Sequence, residues 1–213
     1  GNLLGALTAG QGAMDAGAES LIMSPEASVQ VLKEFSNHLK LDQAPVSWQG
    51  VAASPRVSIL DNPALAAQSA SVPFDDEGTA AGEKYLINKG VFIRAVADIR
   101  TGYARGAAST GNGFRDERGI FPQVQFSNLY FKPSAVSLAQ LLRQARKGIL
   151  VYLVKLKGSG CRPGEYVFSA YGYFFDDEEI SRPVHFYFVT SMRSYMLHIG
   201  EISRELRFFH ARA

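Results

Sequence analysis

Val72-Pro-Phe-Asp-Asp-Glu-Gly-Thr79 sets three carboxylates side by side between a stiffening proline and a glycine that permits a sharp exit. Adjacent carboxylates repel one another, so Asp75, Asp76 and Glu77 require water, a cation or oriented donors close by. Taken alone, the block reads as a solvated acidic turn. Its neighbours alter that reading. Tyr85-Leu-Ile-Asn-Lys-Gly-Val-Phe92 follows it, and then the glycine-rich run Gly106-Ala-Ala-Ser-Thr-Gly-Asn-Gly-Phe-Arg115. Farther along stand Phe126-Ser-Asn-Leu-Tyr-Phe-Lys-Pro133 and a helical stretch from Ser137 that leads into Lys147-Gly-Ile-Leu-Val151.

The chain has 213 residues, of which 46% are hydrophobic and 20% charged, enough for one sizeable core and too apolar for disorder. A net charge of +2, with no dense Lys/Arg cluster, argues against a nucleic-acid partner. No apolar run reaches the length of a membrane span. Cys161 is the single cysteine, so no intrachain disulfide forms, which fits a reducing cytoplasm. Residues 1–20 are Gly/Ala-rich without a basic start, and read as a flexible lead-in rather than a signal peptide.

Ser24-Pro25-Glu26 is a helix start, and Val29, Leu32, Phe35 and Leu39 recur at helical spacing, which predicts a helix over 25–39. Residues 56–60 and 90–99 read as strands, and residues 104–123 as a long glycine-rich loop. Ser137 caps a second helix that Gly148 ends. Strands are expected over 149–156, 166–175 and 184–190, and a short helix over 194–202. The pattern is α+β, with antiparallel sheet concentrated in the second half.

In their shared order, these segments resemble the TldD/PmbA family (also called TldD/TldE), metallopeptidases once described as modulators of DNA gyrase. The resemblance runs from about Leu21 to Arg207 and covers the C-terminal half of such proteins. It implies a largely antiparallel sheet with a few packed helices. Residues 21–213 then form one TldD/PmbA-like C-terminal domain, truncated at its C-terminal end because the family's final segment finds no match.

TldD-like members carry His-Glu-x-x-x-His on the helix that corresponds to residues 25–39. The resemblance makes the two histidines zinc ligands and the glutamate the general base. Here the stretch reads Lys33-Glu34-Phe-Ser-Asn-His38. An ammonium has no lone pair for zinc and repels the cation. Residues five apart on a regular helix are also rotated by about 140°, so two ligands at that spacing need a distorted helix. The family's zinc-binding cysteine belongs to the unmatched final segment, and Cys161 lies elsewhere. The expectation is an incomplete zinc site, with Glu34 in the catalytic position, His38 a vestigial ligand and no cofactor. Lys33, Glu34 and His38 read without the resemblance are polar margins of an amphipathic helix. His185 and His198 read as packed histidines, His210 as lying near the frayed end, and Cys161 beside Arg162 as an exposed turn thiol.

The run from Gly106 to Gly113 lacks the ending of a phosphate-binding loop. The resemblance makes it the lining of a peptide groove, with Asn112, Arg115 and Asn128 as peptide-binding residues; the alternative is a backbone packing loop. The function implied is that of a TldE/PmbA-like non-catalytic member. It would assist a TldD-like peptidase subunit, or associate with itself, in maturing or degrading extended, unfolded peptides in the cytoplasm. Two alternatives stand beside it: an active zinc metallopeptidase using Glu34 and His38, and a stand-alone peptide-binding or scaffold module. Tyr166, Phe168, Tyr171 and Tyr173 either line an exposed strand edge that adds a peptide strand or belong to sheet core.

Overall fold

The computed structural model describes residues 20–44, 50–65, 68, 70–116 and 119–205. The lead-in expected over residues 1–20, Ser20 apart, and His210 lie outside the described residues. The chain forms two compact units. One is made of its flanks, up to Glu34 and from Pro133 onward; the other runs from Phe35 to Lys132.

In chain order, strand β1 (Ser20–Met23) leads into helix α1 (Pro25–Ser36). Ser24 caps it as expected: its hydroxyl oxygen accepts the N–H of Ala27 at 3.2 Å. The helix stops short of Leu39, because residues Asn37–Leu39 tighten into a 3-10 turn. The backbone there leaves its own ladder for another partner. Val96 donates its N–H to the carbonyl of Leu39 at 2.9 Å, and Leu41 donates to the carbonyl of Val96 at 2.9 Å.

The inner unit continues with β2 (Gly50–Val51), β3 (Ile59–Asp61), β4 (Lys84–Asn88), β5 (Val91–Phe92), α2 (Ile99–Ala104), β6 (Gly113–Phe114), β7 (Gln123–Val124) and β8 (Leu129–Phe131). Five of these strands form an antiparallel sheet in the order β2-β5-β4-β3-β8, and β6 pairs with β7. Val57, Ile59, Leu86, Ile87 and Val96 are its buried centre. Antiparallel sheet is therefore not confined to the second half of the chain. The strand expected over 90–99 is reduced to Val91–Phe92, because Asp98 caps α2 through a 2.6 Å bond from the N–H of Thr101.

The outer unit resumes with α3 (Leu138–Ala145), β9 (Lys147–Ser159), β10 (Glu165–Asp176), β11 (Glu179–Ser191) and α4 (Met192–Leu197). Ser137 and Gln140 form a complete capping box at the start of α3. Gly148 does not end α3; Arg146 does, at a φ of 60°, with its N–H on the carbonyl of Leu142 at 3.0 Å. Gly148 belongs to β9. The carbonyl of Ser20 and the ring of Phe175 occupy the space a side chain would need there, so glycine lets β1 close on β9. The sheet order is β1-β9-β10-β11, with β1 parallel to β9 and the longer strands antiparallel. One face buries Val154, Phe168, Ala170, Phe186 and Phe188, so Phe168 is core. Among the described residues, no helix is long and apolar enough to cross a membrane.

Candidate functional site

The acidic block is answered by main-chain donors. Asp75 is buried, and its Oδ1 accepts the N–H groups of Glu77 at 3.0 Å and Thr79 at 2.8 Å. Its Oδ2 accepts the N–H of Gly113 at 2.9 Å. Asp76 accepts the N–H of Arg115 at 2.7 Å, while its own N–H donates to the carbonyl of Gly113 at 2.9 Å. Glu77 accepts the N–H of Ile99 at 2.8 Å. The three carboxylates thus stitch the glycine-rich loop and the start of α2 to one turn, which corrects the reading of that turn as merely solvated. The Glu77 carboxylate lies where a Cβ on residue 113 would stand, so a side chain there would push Glu77 off the N–H of Ile99.

Behind the loop lies a buried polar cluster. The amide nitrogen of Asn112 donates to Asp61 at 2.7 Å and to the carbonyl of Gln125 at 2.8 Å. Its amide oxygen accepts from Lys84 Nζ at 3.0 Å and from the Thr110 hydroxyl at 2.8 Å. Lys84 stands 3.5 Å from Asp61, and Asp61 also accepts the N–H and the hydroxyl of Ser127 at 2.9 and 2.8 Å. Burial pushes the Lys84 ammonium below its ordinary range, and the Asp61 charge opposes that shift. A shallow pocket of about 330 Å³ opens beside β4, lined by Glu83, Lys84, Tyr85, Asn88, Ile93 and Arg94.

Asn112 is fully buried, and its hydrogen bonds run to its own chain. Asn128 is also buried and donates to the carbonyl of Asn62 at 2.9 Å and to the Ser71 hydroxyl at 3.1 Å. Both hold backbone in place. Of the three residues expected to meet a peptide, Arg115 is the one whose side chain is exposed. The structure brings the Arg115 backbone to the acidic turn, Asn112 to the Asp61–Lys84 cluster and Asn128 to Asn62 and Ser71. Asp61 and Lys84 were missed in the sequence. Their signal is slight: a lysine opening the apolar run Lys84-Tyr-Leu-Ile, and an aspartate closing Ile59-Leu-Asp61.

Lys33 is exposed and Glu34 half-buried on α1, and His38 sits in the 3-10 turn beyond that helix. The ring of Phe35 meets His38 edge-on, with centroids 6.3 Å apart. Burial lowers the His38 pKa, which favours the neutral imidazole. Glu34 and His38 are donors suited to zinc, whereas Lys33 is not. Among the described residues, no group of three His, Cys, Asp or Glu side chains is assembled to hold a metal ion. The set present among the described residues does not fit a four-coordinate zinc site. Cys161 is exposed, as expected.

Residues 20–213 match the sequence pattern of the PmbA/TldA metallopeptidase C-terminal domain. The chain belongs to that family. It is 31% identical over 159 residues to a metalloprotease of Archaeoglobus fulgidus, covering 73% of this chain and 36% of the relative. It is 33% identical over 135 residues to a metalloprotease of Methanothermobacter thermautotrophicus, covering 62% of this chain and 29% of the relative. A zinc metalloprotease TldD homologue of Saccharolobus solfataricus is 28% identical over 180 residues, 79% of this chain and 40% of that protein. The chain thus spans well under half the length of these relatives. Among solved structures, TldE from Thermococcus kodakarensis superposes with a TM-score of 0.76 at 24% identity, over 87% of this chain and 44% of that one. A Thermotoga maritima protein described as a modulator of DNA gyrase gives 0.71 at 25% identity, over 86% and 44%. The PmbA/TldA domain is thereby established as the α+β fold expected from the sequence.

Proposed function

We propose that this PmbA/TldA domain belongs to a TldE/PmbA-like, non-catalytic subunit. It pairs with a TldD-like peptidase subunit in the cytoplasm and helps it mature or degrade extended peptides. One observation carries the reading: Lys33 stands where a zinc-donating imidazole belongs in Lys33-Glu34-Phe-Ser-Asn-His38. A cationic side chain there disfavours the metal that peptide hydrolysis in this family requires. The exposed side chain of Arg115 would meet a peptide carboxylate, while Asn112 ties the loop that carries it to Gln125 and Asn128 holds the Asn62 and Ser71 segment.

The test is metal content together with partner capture. Purified protein is expected to hold far less than one zinc per chain and to co-purify with a TldD-like subunit. Stoichiometric zinc that disappears in His38→Ala would instead make Glu34 and His38 part of an active metallopeptidase. A stable monomer that captures neither subunit nor peptide would make the chain a scaffold module.

A further inference from the structure

Lys84, Asp61 and Asn112 are buried together, and they stand in the order of a nucleophile, a base and an acyl group. Asp61 closes β3 and Lys84 opens β4, directly opposite it in the antiparallel ladder. Asn112 enters from the glycine-rich loop. Four bonds hold its amide in one orientation. Nδ2 donates to Asp61 Oδ2 at 2.7 Å and to the carbonyl of Gln125 at 2.8 Å, while Oδ1 accepts from Lys84 Nζ at 3.0 Å and from the Thr110 hydroxyl at 2.8 Å. A flipped amide would set its own N–H groups against the Lys84 ammonium. Lys84 Nζ therefore lies beside Asn112 Cγ, one bond behind the oxygen it touches. It also stands 3.5 Å from the same Asp61 oxygen that bonds Nδ2.

These contacts supply what an acyl transfer needs. A desolvated lysine yields its proton more readily than an exposed one, and burial lowers the Lys84 pKa. Asp61 Oδ2 is near both nitrogens, so it can carry a proton from the attacking one to the leaving one. The Thr110 hydroxyl bonds the oxygen on which negative charge develops. Asp61 and Asn112 are both 0% exposed, so bulk water does not compete for the carbonyl. A backbone rival is held off as well. The nitrogen of Gly113, which would close a succinimide ring on Asn112, donates its N–H to Asp75 Oδ2 at 2.9 Å.

We propose that Lys84 Nζ and Asn112 Cγ join in an intramolecular isopeptide bond that cross-links β4 to the glycine-rich loop. Asp61 first takes one proton from the Lys84 ammonium. The free amine then forms the C–N bond to Cγ. As the Cγ–Nδ2 bond breaks, Asp61 gives its proton to the departing nitrogen and receives the amine's second proton. Ammonia leaves, one hydrogen stays on the new amide nitrogen and one proton stays on Asp61, so charge and atoms balance without an oxidant or a cofactor. Lys84 lines the shallow pocket beside β4, which offers the ammonia a way out. The ion pair is the state of the newly folded chain, and the bond accumulates as that chain ages. This goes beyond the subunit role proposed above and does not depend on it.

Intact-mass spectrometry and a peptide map of the full chain test it. After several weeks at neutral pH, most of the protein should be lighter than its sequence by one ammonia. Trypsin should fail to cut after Lys84 and should release one branched peptide that joins Lys84 to Asn112. Folded Lys84→Met should keep its full sequence mass through the same incubation. A wild-type mass that stays at the sequence value would overturn the proposal. So would loss of ammonia that persists in Lys84→Met, which would assign it to a succinimide at Asn112-Gly113. Should Lys84→Met fail to fold, the wild-type map decides alone: loss of ammonia with only linear peptides overturns the cross-link.

Discussion

Asp75 Oδ2 accepts the main-chain N–H of Gly113 at 2.9 Å across 38 residues of sequence. With Oδ1 holding two further N–H groups, this one carboxylate organises both its own turn and the glycine-rich loop.

Asp75→Asn should therefore destabilise the inner unit by about 3 kcal/mol. Whichever way the amide is flipped, its NH2 group faces an N–H donor that the carboxylate had accepted. Urea unfolding followed by circular dichroism measures the loss; a change under about 0.5 kcal/mol would contradict the assignment.

Lys84→Met should also cost about 3 kcal/mol, because it removes the cation that accompanies buried Asp61. Methionine keeps the volume, so the loss reports the pair and not a cavity. A double variant with Asp61→Asn is expected to recover part of it, and a thermal melt of the single and double variants checks this.

The His38 pKa is lowered by burial, so the folded state takes up this proton less readily than the unfolded chain. At pH above the ordinary value of 6.5 both states are neutral and the stability is complete. As pH falls below 6.5 toward the folded value, the unfolded chain protonates first and stability declines. His38→Gln should flatten that acid limb, as read from unfolding midpoints between about pH 5 and 7.

Ser137→Ala should weaken the start of α3 by about 1 kcal/mol, since Ser137 accepts the N–H of Gln140 at 3.2 Å while Gln140 accepts that of Ser137 at 2.8 Å. Ser137→Asp should restore most of it, measured by urea unfolding followed by circular dichroism.

Signals local to the chain were legible. The caps at Ser24 and Ser137 were readable because each depends on a partner three residues away. The β9–β10–β11 meander was readable because its alternation is long. What escaped was set by distant partners. The end of α1 depends on Val96, which takes the carbonyl of Leu39. The role of Gly148 depends on Ser20 and Phe175, and that of Asn112 on Asp61 and Lys84. The Lys33 departure in the helical motif was visible at once, whereas the burial of Asn112 and Asn128 was not, since no local pattern separates an asparagine that binds a ligand from one that binds its own backbone.

Because β1 lies parallel against the start of β9, Ser20 and Gly148 must meet although the whole of the inner unit is threaded between them. On the ribosome, Phe35 to Lys132 can therefore complete its own sheet before β9 has emerged, while the preceding segment waits for its mate. Splicing a flexible tether in place of the inner unit would then leave β1 and β9 to pair across a far shorter loop.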